Sequence, residues 1–181
     1  MKWVISVLIL ALSAAPSLAA DVQTIVERAA RDVVAMRERE GKALATELST
    51  RLDALEAAAQ VIEAQAPERL KAEHERLKQA VAELTAQATV DEQRLALEIA
   101  LLADRVDITE ELVRFRAHVA AARAALGSAQ AVGKQLGFLT QELLREVNTM
   151  GSKANDARIT QTVIAMKGDL EKFREQLENL E

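Results

Sequence analysis

Apolar residues recur at helical spacing from Asp21 to about Ala64, with Glu and Arg on the other faces. The stripe consists of residues three, four or seven positions apart, namely Leu44, Leu48, Leu52, Leu55 and Ile62. Ala66-Pro67 should end this helix, because a proline costs least in the first turn of a following one. The second helix would reach about Ala88 and carry Leu70, Leu77, Val81 and Leu84. Two long helices joined by a short link predict an antiparallel hairpin over residues 21–90.

The pattern after this hairpin predicts four shorter helices. Asp91 stands at a cap position before the first of them. Asp107 and Glu110 have the spacing of a capping box at the start of the second. Gly133 precedes the third helix, and Gly151 should end it because glycine punctuates helices.

The last predicted helix starts at about Asp156 and has the most regular apolar pattern in the chain. Its apolar residues alternate spacings of four and three without a miss, at Ile159, Val163, Met166, Leu170, Phe173, Leu177 and Leu180. Such a heptad seam is typical of a coiled coil and needs a partner helix, from this chain or from another copy.

Composition favours the same fold class. Aromatic residues make up 2% of the chain and there are two prolines, while strong helix formers dominate. We expect an all-α chain with a long antiparallel helical hairpin and a C-terminal helical bundle over residues 91–181. The lack of cysteine excludes disulfides, thiolate metal sites and cysteine nucleophiles.

The charge and the aromatic residues limit what the chain can bind. A formal net charge of −5 gives no general attraction for nucleic acid, so any such binding needs a local patch. There is no Tyr, and the Phe residues fall at positions that the pattern assigns to the core, so no platform for stacking bases is predicted. Phosphate-binding loops and the common hydrolase signatures do not occur in the sequence.

Residues 1–20 have the layout of a signal peptide. Lys2 provides a positive start, Trp3–Leu12 is apolar, and Ser17-Leu18-Ala19 supplies small residues before a cleavage point. The apolar run is shorter than the roughly 20 residues of a stable membrane span. We therefore expect a cleaved leader and a periplasmic or secreted protein, with cytoplasmic location as the alternative.

The segment from Gln141 to Lys153 is the least ordinary polar stretch. Four residues at spacings of three and four share one helix face, namely Gln141, Arg145, Asn148 and Ser152. Amides and hydroxyls donate and accept hydrogen bonds, and arginine suits phosphate. This face, which we call the Gln141 row, is equally compatible with polyanion binding and with a polar network between helices.

An acidic cluster and two histidines complete the candidate chemistry. The acidic residues are Glu98, Asp104, Asp107, Glu110 and Glu111. Carboxylates suit Mg²⁺ or Mn²⁺, although Asp107 and Glu110 are more simply interpreted as helix caps. His118 is a candidate acid or base near neutral pH, with a packing role as the alternative; His74 lies among charged residues and is interpreted as a surface residue.

A longer pattern runs through the same region. It has the form Gln-Glu-x-x-Arg-Glu-x-Asn-Thr-x-x-Ser-Lys-Ala and extends from Gln141 to Ala154. Support comes from residues 98–105 and from residues 107–112. The chain here resembles the C-terminal helical region of the YicC-like endoribonuclease family, over about Val33 to Glu181.

The resemblance implies a metal-dependent endoribonuclease that uses Mn²⁺ or Mg²⁺, acts on RNA and assembles into homo-oligomers, typically hexamers. Because the family's N-terminal domain has no counterpart here, we expect a truncated or degenerate member. The implied catalytic candidates are His118, Glu142 and Glu146. The implied candidates for RNA or phosphate contact are Gln141, Arg145, Asn148, Thr149, Ser152 and Lys153. The implied metal candidates are Glu98, Asp107, Glu110 and Glu111.

A second hypothesis takes the leader and the heptad seam as the informative features. It describes a non-enzymatic, helical, oligomeric interaction protein of the cell envelope. In that case assembly depends on Leu170 and Leu177, and does not depend on Glu142 or Arg145.

Overall fold

The protein is described from a computed structural model that covers residues 2–85, 91–128 and 131–178. Its helices are α1 (Lys2–Thr85), α2 (Glu92–Val106), α3 (Thr109–Leu126), α4 (Gly133–Ala154) and α5 (Ala157–Leu177). The described ranges contain no strand, which confirms the all-α prediction. The side chains of the leader up to Ala19, and those of Leu70, Leu84 and Leu180, lie outside what the structure describes.

The chain divides into two compact units, residues 1–44 and residues 45–181. In the first unit, the helix is exposed on all sides from Ala20 to Glu40. Its exposed apolar residues include Val22, Ile25, Val26, Val33, Val34 and Met36. None of the described helices combines the length and the apolar character needed to cross a membrane.

The predicted hairpin turn at Ala66-Pro67 is wrong, because α1 continues through it to Thr85. An internal proline removes one helical hydrogen bond and costs about 3 kcal/mol. Contacts with other helices hold the chain on both sides of Pro67. Arg116 Nη1 donates to Glu63 Oε1 at 3.0 Å, and Arg69 Nη1 donates to the carbonyl of Val106 at 2.9 Å. These contacts favour an unbroken helix over the turn that the sequence predicted.

The core of the second unit is built by α1, α3, α4 and α5. The α1 stripe is fully buried at Leu48, Leu52, Leu55, Ala59 and Ile62. Ion pairs then join α1 to its neighbours at the edge of the core. Arg123 of α3 pairs with Asp53 and Glu56, and Arg51 lies 3.7 Å from Asp169 of α5. Burial of each large apolar side chain contributes about 1.5–3 kcal/mol, so the stripe is the main attachment of α1.

The heptad seam of α5 finds its partner inside the chain. All six of its described positions are buried, namely Ile159, Val163, Met166, Leu170, Phe173 and Leu177. A Cβ atom on Gly151 of α4 would lie 2.9 Å from Val163 Cγ1, so glycine is needed for the close approach of α4 and α5. The seam is therefore core, and its burial removes the pattern that motivated a coiled coil between copies.

Gly151 was predicted to end α4, and this prediction is also wrong. The helix runs on to Ala154 and ends at Asn155, whose φ of 43° is left-handed. Asparagine tolerates that conformation better than most residues other than glycine. Asp156 then caps α5, since its Oδ1 accepts hydrogen bonds from the amides of Arg158 and Ile159. Asp91 caps α2 in the same way, as predicted.

Candidate metal centre

A row of charged side chains lies between α3 and α4. We call it the polar seam, and its members are Glu111, Arg114 and His118 on α3, and Glu142, Glu146 and Lys153 on α4. Lys153 Nζ lies 2.8 Å from Glu111 Oε1, and Arg114 Nε lies 3.4 Å from Glu146 Oε1. His118 lies near Glu142 and Glu146. Going along α3 from Glu111 to His118, the contacted residues on α4 run backwards from Lys153 to Glu142. The two helices are therefore antiparallel.

Three members of the seam form a group that is suited to holding a cation. One ligand atom each from His118, Glu142 and Glu146 lie within 4.8 Å of one another. Glu146 is buried, while His118 and Glu142 are half-buried. Glu142 and Glu146 are one helical turn apart on α4, and His118 lies one turn beyond Arg114 on α3. The arrangement offers one imidazole nitrogen and two carboxylates as ligands for a cation.

The predicted metal residues Glu98, Asp107, Glu110 and Glu111 do not form such a group within the described part of the chain. Glu98 is exposed on α2. Glu110 Oε1 lies 3.0 Å from Arg114 Nη1, and Glu111 pairs with Lys153. Each of the latter two carboxylates therefore has a basic partner of its own.

Asp107 has a structural role at the junction of α2 and α3. Its Oδ1 accepts hydrogen bonds from the hydroxyl and the amide of Thr109, at 2.6 and 2.9 Å. These bonds, assisted by the charge of Lys153, lower the pKa of Asp107 below its ordinary value. The predicted capping box with Glu110 is not formed, because the amide of Asp107 donates to the carbonyl of Ala103 instead.

Glu111 is the most constrained charge of the seam. Its side chain is 3% exposed, and Lys153, which also donates to the carbonyl of Asp107, supplies its nearest positive charge. Oε2 of Glu111 is buried without a hydrogen-bond partner in the residues described. A buried carboxylate needs compensation of this kind, since desolvation of the charge is costly. Lys153, predicted to contact RNA, therefore serves first as the counter-ion of Glu111.

Arg114 joins the two halves of the seam and was not singled out in the sequence. Its guanidinium lies near three carboxylates, those of Glu110, Glu111 and Glu146. The one sequence signal was its spacing of three and four from Glu111 and Glu110, which is common on solvated helices. Its position opposite Glu146 depends on α4 and could not be read from α3 alone.

The Gln141 row lies on the exposed side of α4, next to the seam. Gln141, Arg145, Asn148 and Ser152 are all exposed. Arg145 Nη1 lies 3.6 Å from Glu142 Oε2, which connects the row to the candidate centre. The hydroxyls of Thr149 and Ser152 donate back to carbonyls of their own helix. Their oxygen lone pairs therefore remain as acceptors.

Phe138 corrects the expectation that every Phe belongs to the core. Phe115 and Phe173 are fully buried, whereas Phe138 is 60% exposed. It precedes Gln141 by three residues and so continues the row by one turn. The row therefore ends in an accessible aromatic ring, which the core assignment had excluded.

Comparison with known proteins agrees with the resemblance seen in the motif. The family model for the C-terminal region of YicC-like endoribonucleases matches residues 62–181. The probable endoribonuclease YicC of Clostridioides difficile (strain 630) is 40% identical over 147 residues, which are 81% of this chain and 50% of that protein. The probable endoribonuclease YicC of Haemophilus influenzae (strain ATCC 51907 / DSM 11121 / KW20 / Rd) is 39% identical over 161 residues, 89% of this chain and 55% of that protein. The chain spans about half the length of these curated relatives. On the extent of the family match, the chain belongs to the YicC-like endoribonuclease family.

Proposed function

We propose that this protein cleaves RNA phosphodiester bonds with a divalent cation held by His118, Glu142 and Glu146. The observation that carries the proposal is the convergence of these three side chains from two helices to within 4.8 Å. The names of the relatives, both probable endoribonucleases, supply the reaction class. All three residues were candidates for catalysis on the resemblance alone, and their proximity gives them a common task.

The donor set fits a transition metal better than it fits magnesium. Mg²⁺ takes oxygen ligands almost only, whereas Mn²⁺ accepts a mixture of imidazole and carboxylates. Three protein ligands leave positions for substrate. A bound cation would stabilise the negative charge that develops on the phosphate during cleavage. We therefore propose Mn²⁺ as the cofactor, and we leave Glu98, Asp107, Glu110 and Glu111 out of the ligand set because they lack this convergence.

The residues of the metal group have different environments, and their tasks follow from these. Glu146 is buried with Arg114 at 3.4 Å, so we assign it the task of a fixed ligand. Glu142 and His118 are half-buried, so they are accessible to substrate and water. We assign them the additional task of exchanging a proton with the reacting groups, for which carboxylate and imidazole are suited.

The Gln141 row is the proposed RNA-binding surface. Gln141, Arg145 and Asn148 carry N–H donors that suit phosphate oxygens. Thr149 and Ser152 use their hydroxyl protons within the helix, so they suit a donor such as the ribose 2′-hydroxyl. Phe138, at the end of the row, offers a face on which an unpaired base can stack.

The proposal also covers the assembly of the chain into homo-oligomers and its location. The resemblance implies homo-oligomers, in hexameric form, and the exposed apolar residues of the first unit are compatible with contact between copies. Sedimentation of the purified chain measures the number of copies. Export remains a prediction from residues 1–20, and sequencing of the N-terminus of the mature protein tests it.

Cleavage assays with a matched control test the function. Structured RNA with unpaired loops is incubated with the protein and Mn²⁺. Glu142→Gln should lower the cleavage rate by about 100-fold or more, since it removes a ligand and a proton acceptor. Glu171→Gln is the control, because Glu171 pairs with an arginine three residues later, as Glu142 does, but lies on α5. Equal rates for the two folded variants would contradict the assignment.

A further inference from the structure

Arg114 contacts the candidate metal centre but is not one of its ligands. Its Nε lies 3.4 Å from Glu146 Oε1, while its Nη2 lies 3.7 Å from Glu111 Oε1. The side chain is about half exposed, whereas Glu111 and Glu146 are almost fully buried. One half-exposed guanidinium therefore lies between two buried carboxylates.

The two carboxylates differ in how completely they are neutralised. Glu111 has Lys153 at 2.8 Å on Oε1, but its Oε2 is buried without a hydrogen-bond partner in the part of the chain described. Glu146 has Arg114 as its ion-pair partner, with 3.4 Å between Arg114 Nε and Glu146 Oε1. A donor that leaves Glu146 thus has an unused acceptor within reach, on the same turn of α3 from which Arg114 extends.

Resting on the proposed function, we infer that Arg114 is an exchangeable counter-ion of the metal centre. It neutralises Glu146 while no cation is bound, and it turns to Glu111 Oε2 once Glu146 serves as a ligand. The reason is electrostatic, because a divalent cation beside Glu146 repels a guanidinium within a few ångströms and removes the need for it. Arg114 would then compete with the metal and limit its affinity.

The direction in which Arg114→Gln changes the Mn²⁺ affinity separates this role from a merely structural one. Arg114→Gln leaves Glu146 buried without its counter-ion, which destabilises the metal-free protein but not the metal-bound protein. Mn²⁺ should therefore bind more tightly to the variant, by about tenfold, which corresponds to about 1.4 kcal/mol. If Arg114 merely held Glu146 in a binding orientation, the same variant would bind Mn²⁺ more weakly.

The measurement is the dissociation constant of Mn²⁺ for the full chain, from the electron paramagnetic resonance signal of free Mn²⁺. Arg114→Gln should also lower the Tm of the metal-free protein, and saturating Mn²⁺ should restore most of that loss. Arg114→Lys keeps the charge and should stay within about threefold of wild type. Arg145→Gln is the matched control, since Arg145 also faces a ligand but is 73% exposed and screened by solvent.

A second variant tests the other end of the exchange. Glu111→Gln replaces the carboxylate that receives Arg114 and should weaken Mn²⁺ binding by about threefold or more, and Arg114→Gln in the same chain should remove that effect. Weaker or unchanged Mn²⁺ binding by Arg114→Gln would overturn the inference while leaving the proposed function intact. If Arg114→Gln does not fold, unchanged binding by Glu111→Gln overturns it. Failure of the wild-type chain to bind Mn²⁺ refutes the metal centre itself and the inference with it.

Discussion

Two acidic regions of this molecule look alike in sequence and differ in structure. At the junction of α2 and α3, Asp107 and Glu110 find partners within four residues, Thr109 and Arg114. In the polar seam, Glu146 is buried against a side chain from another helix. Nearby residues satisfy the junction carboxylates through local hydrogen bonds and a surface ion pair. Cross-helix partners create a shared site, and that site is where a cation can be held.

The largest expected effect is a loss of RNA cleavage when the metal group is changed. Glu146→Gln should reduce RNA cleavage by on the order of a thousandfold, because it removes a ligand and its charge from the centre. Glu98→Gln, at an exposed position on α2, should leave the rate unchanged. Initial cleavage rates in Mn²⁺ measure both variants. A large loss with Glu98→Gln and none with Glu146→Gln would return the metal site to the acidic cluster.

The next effect concerns burial. Lys153→Met leaves Glu111 in the interior without its main counter-ion and should lower the free energy of unfolding by about 3 kcal/mol. Glu110→Gln removes an exposed pair with Arg114 and should cost less than about 1 kcal/mol. Urea denaturation compares the two. Similar losses for both variants would mean that burial does not distinguish the regions.

A smaller effect belongs to the aromatic end of the Gln141 row. Phe138→Ala should weaken binding of single-stranded RNA about tenfold, because stacking of one base contributes about 1–3 kcal/mol. Mn²⁺ affinity and binding of perfectly paired RNA should not change. Ile164→Ala is the control, since Ile164 is equally exposed but lies on α5. The alternative is that the Phe138 ring contacts another copy of the protein. Sedimentation of Phe138→Ala tests this, because a change in the number of copies would assign the ring to such a contact.

The smallest effect is a pH dependence at the junction. Bonds from Thr109 hold the pKa of Asp107 below its ordinary value, so the folded state favours the charged carboxylate. A depressed pKa stabilises the fold above the unfolded value of about 3.8, and this contribution is lost as the pH falls through the folded pKa. Asp107→Asn should therefore be less stable than wild type at pH 7, and the difference should shrink towards pH 2. A difference that is constant with pH would contradict this cause.

The helices could be predicted because their apolar periodicity is local. Asp91 and Asp156 cap helices close to where the sequence placed them, since a cap acts on amides two or three residues away. Pro67 and Gly151 misled the prediction for one reason. Each has a poor helix propensity, but packing of α1 and the close contact with Val163 override it.

The residues of the candidate site could be predicted from the sequence, but their arrangement could be predicted only in part. The family motif pointed to His118, Glu142 and Glu146, but their convergence depends on α3 and α4 running antiparallel in one register. Arg114 was missed because no local spacing reveals a partner on another helix. The core assignment of Phe138 rested on its apolar character alone. That character does not show which face of α4 is covered by other helices, and Phe138 lies on the exposed face.

The central claim is that His118 shares a divalent cation with Glu142 and Glu146, and the most direct test is pulsed electron paramagnetic resonance of bound Mn²⁺. A coordinated imidazole adds a nitrogen coupling to the spectrum. The chain contains two histidines, so His74→Gln serves as the control. We predict a nitrogen coupling in wild type and in His74→Gln, and its loss in His118→Gln. Bound Mn²⁺ without that coupling, or a coupling that His118→Gln leaves intact, would contradict the account.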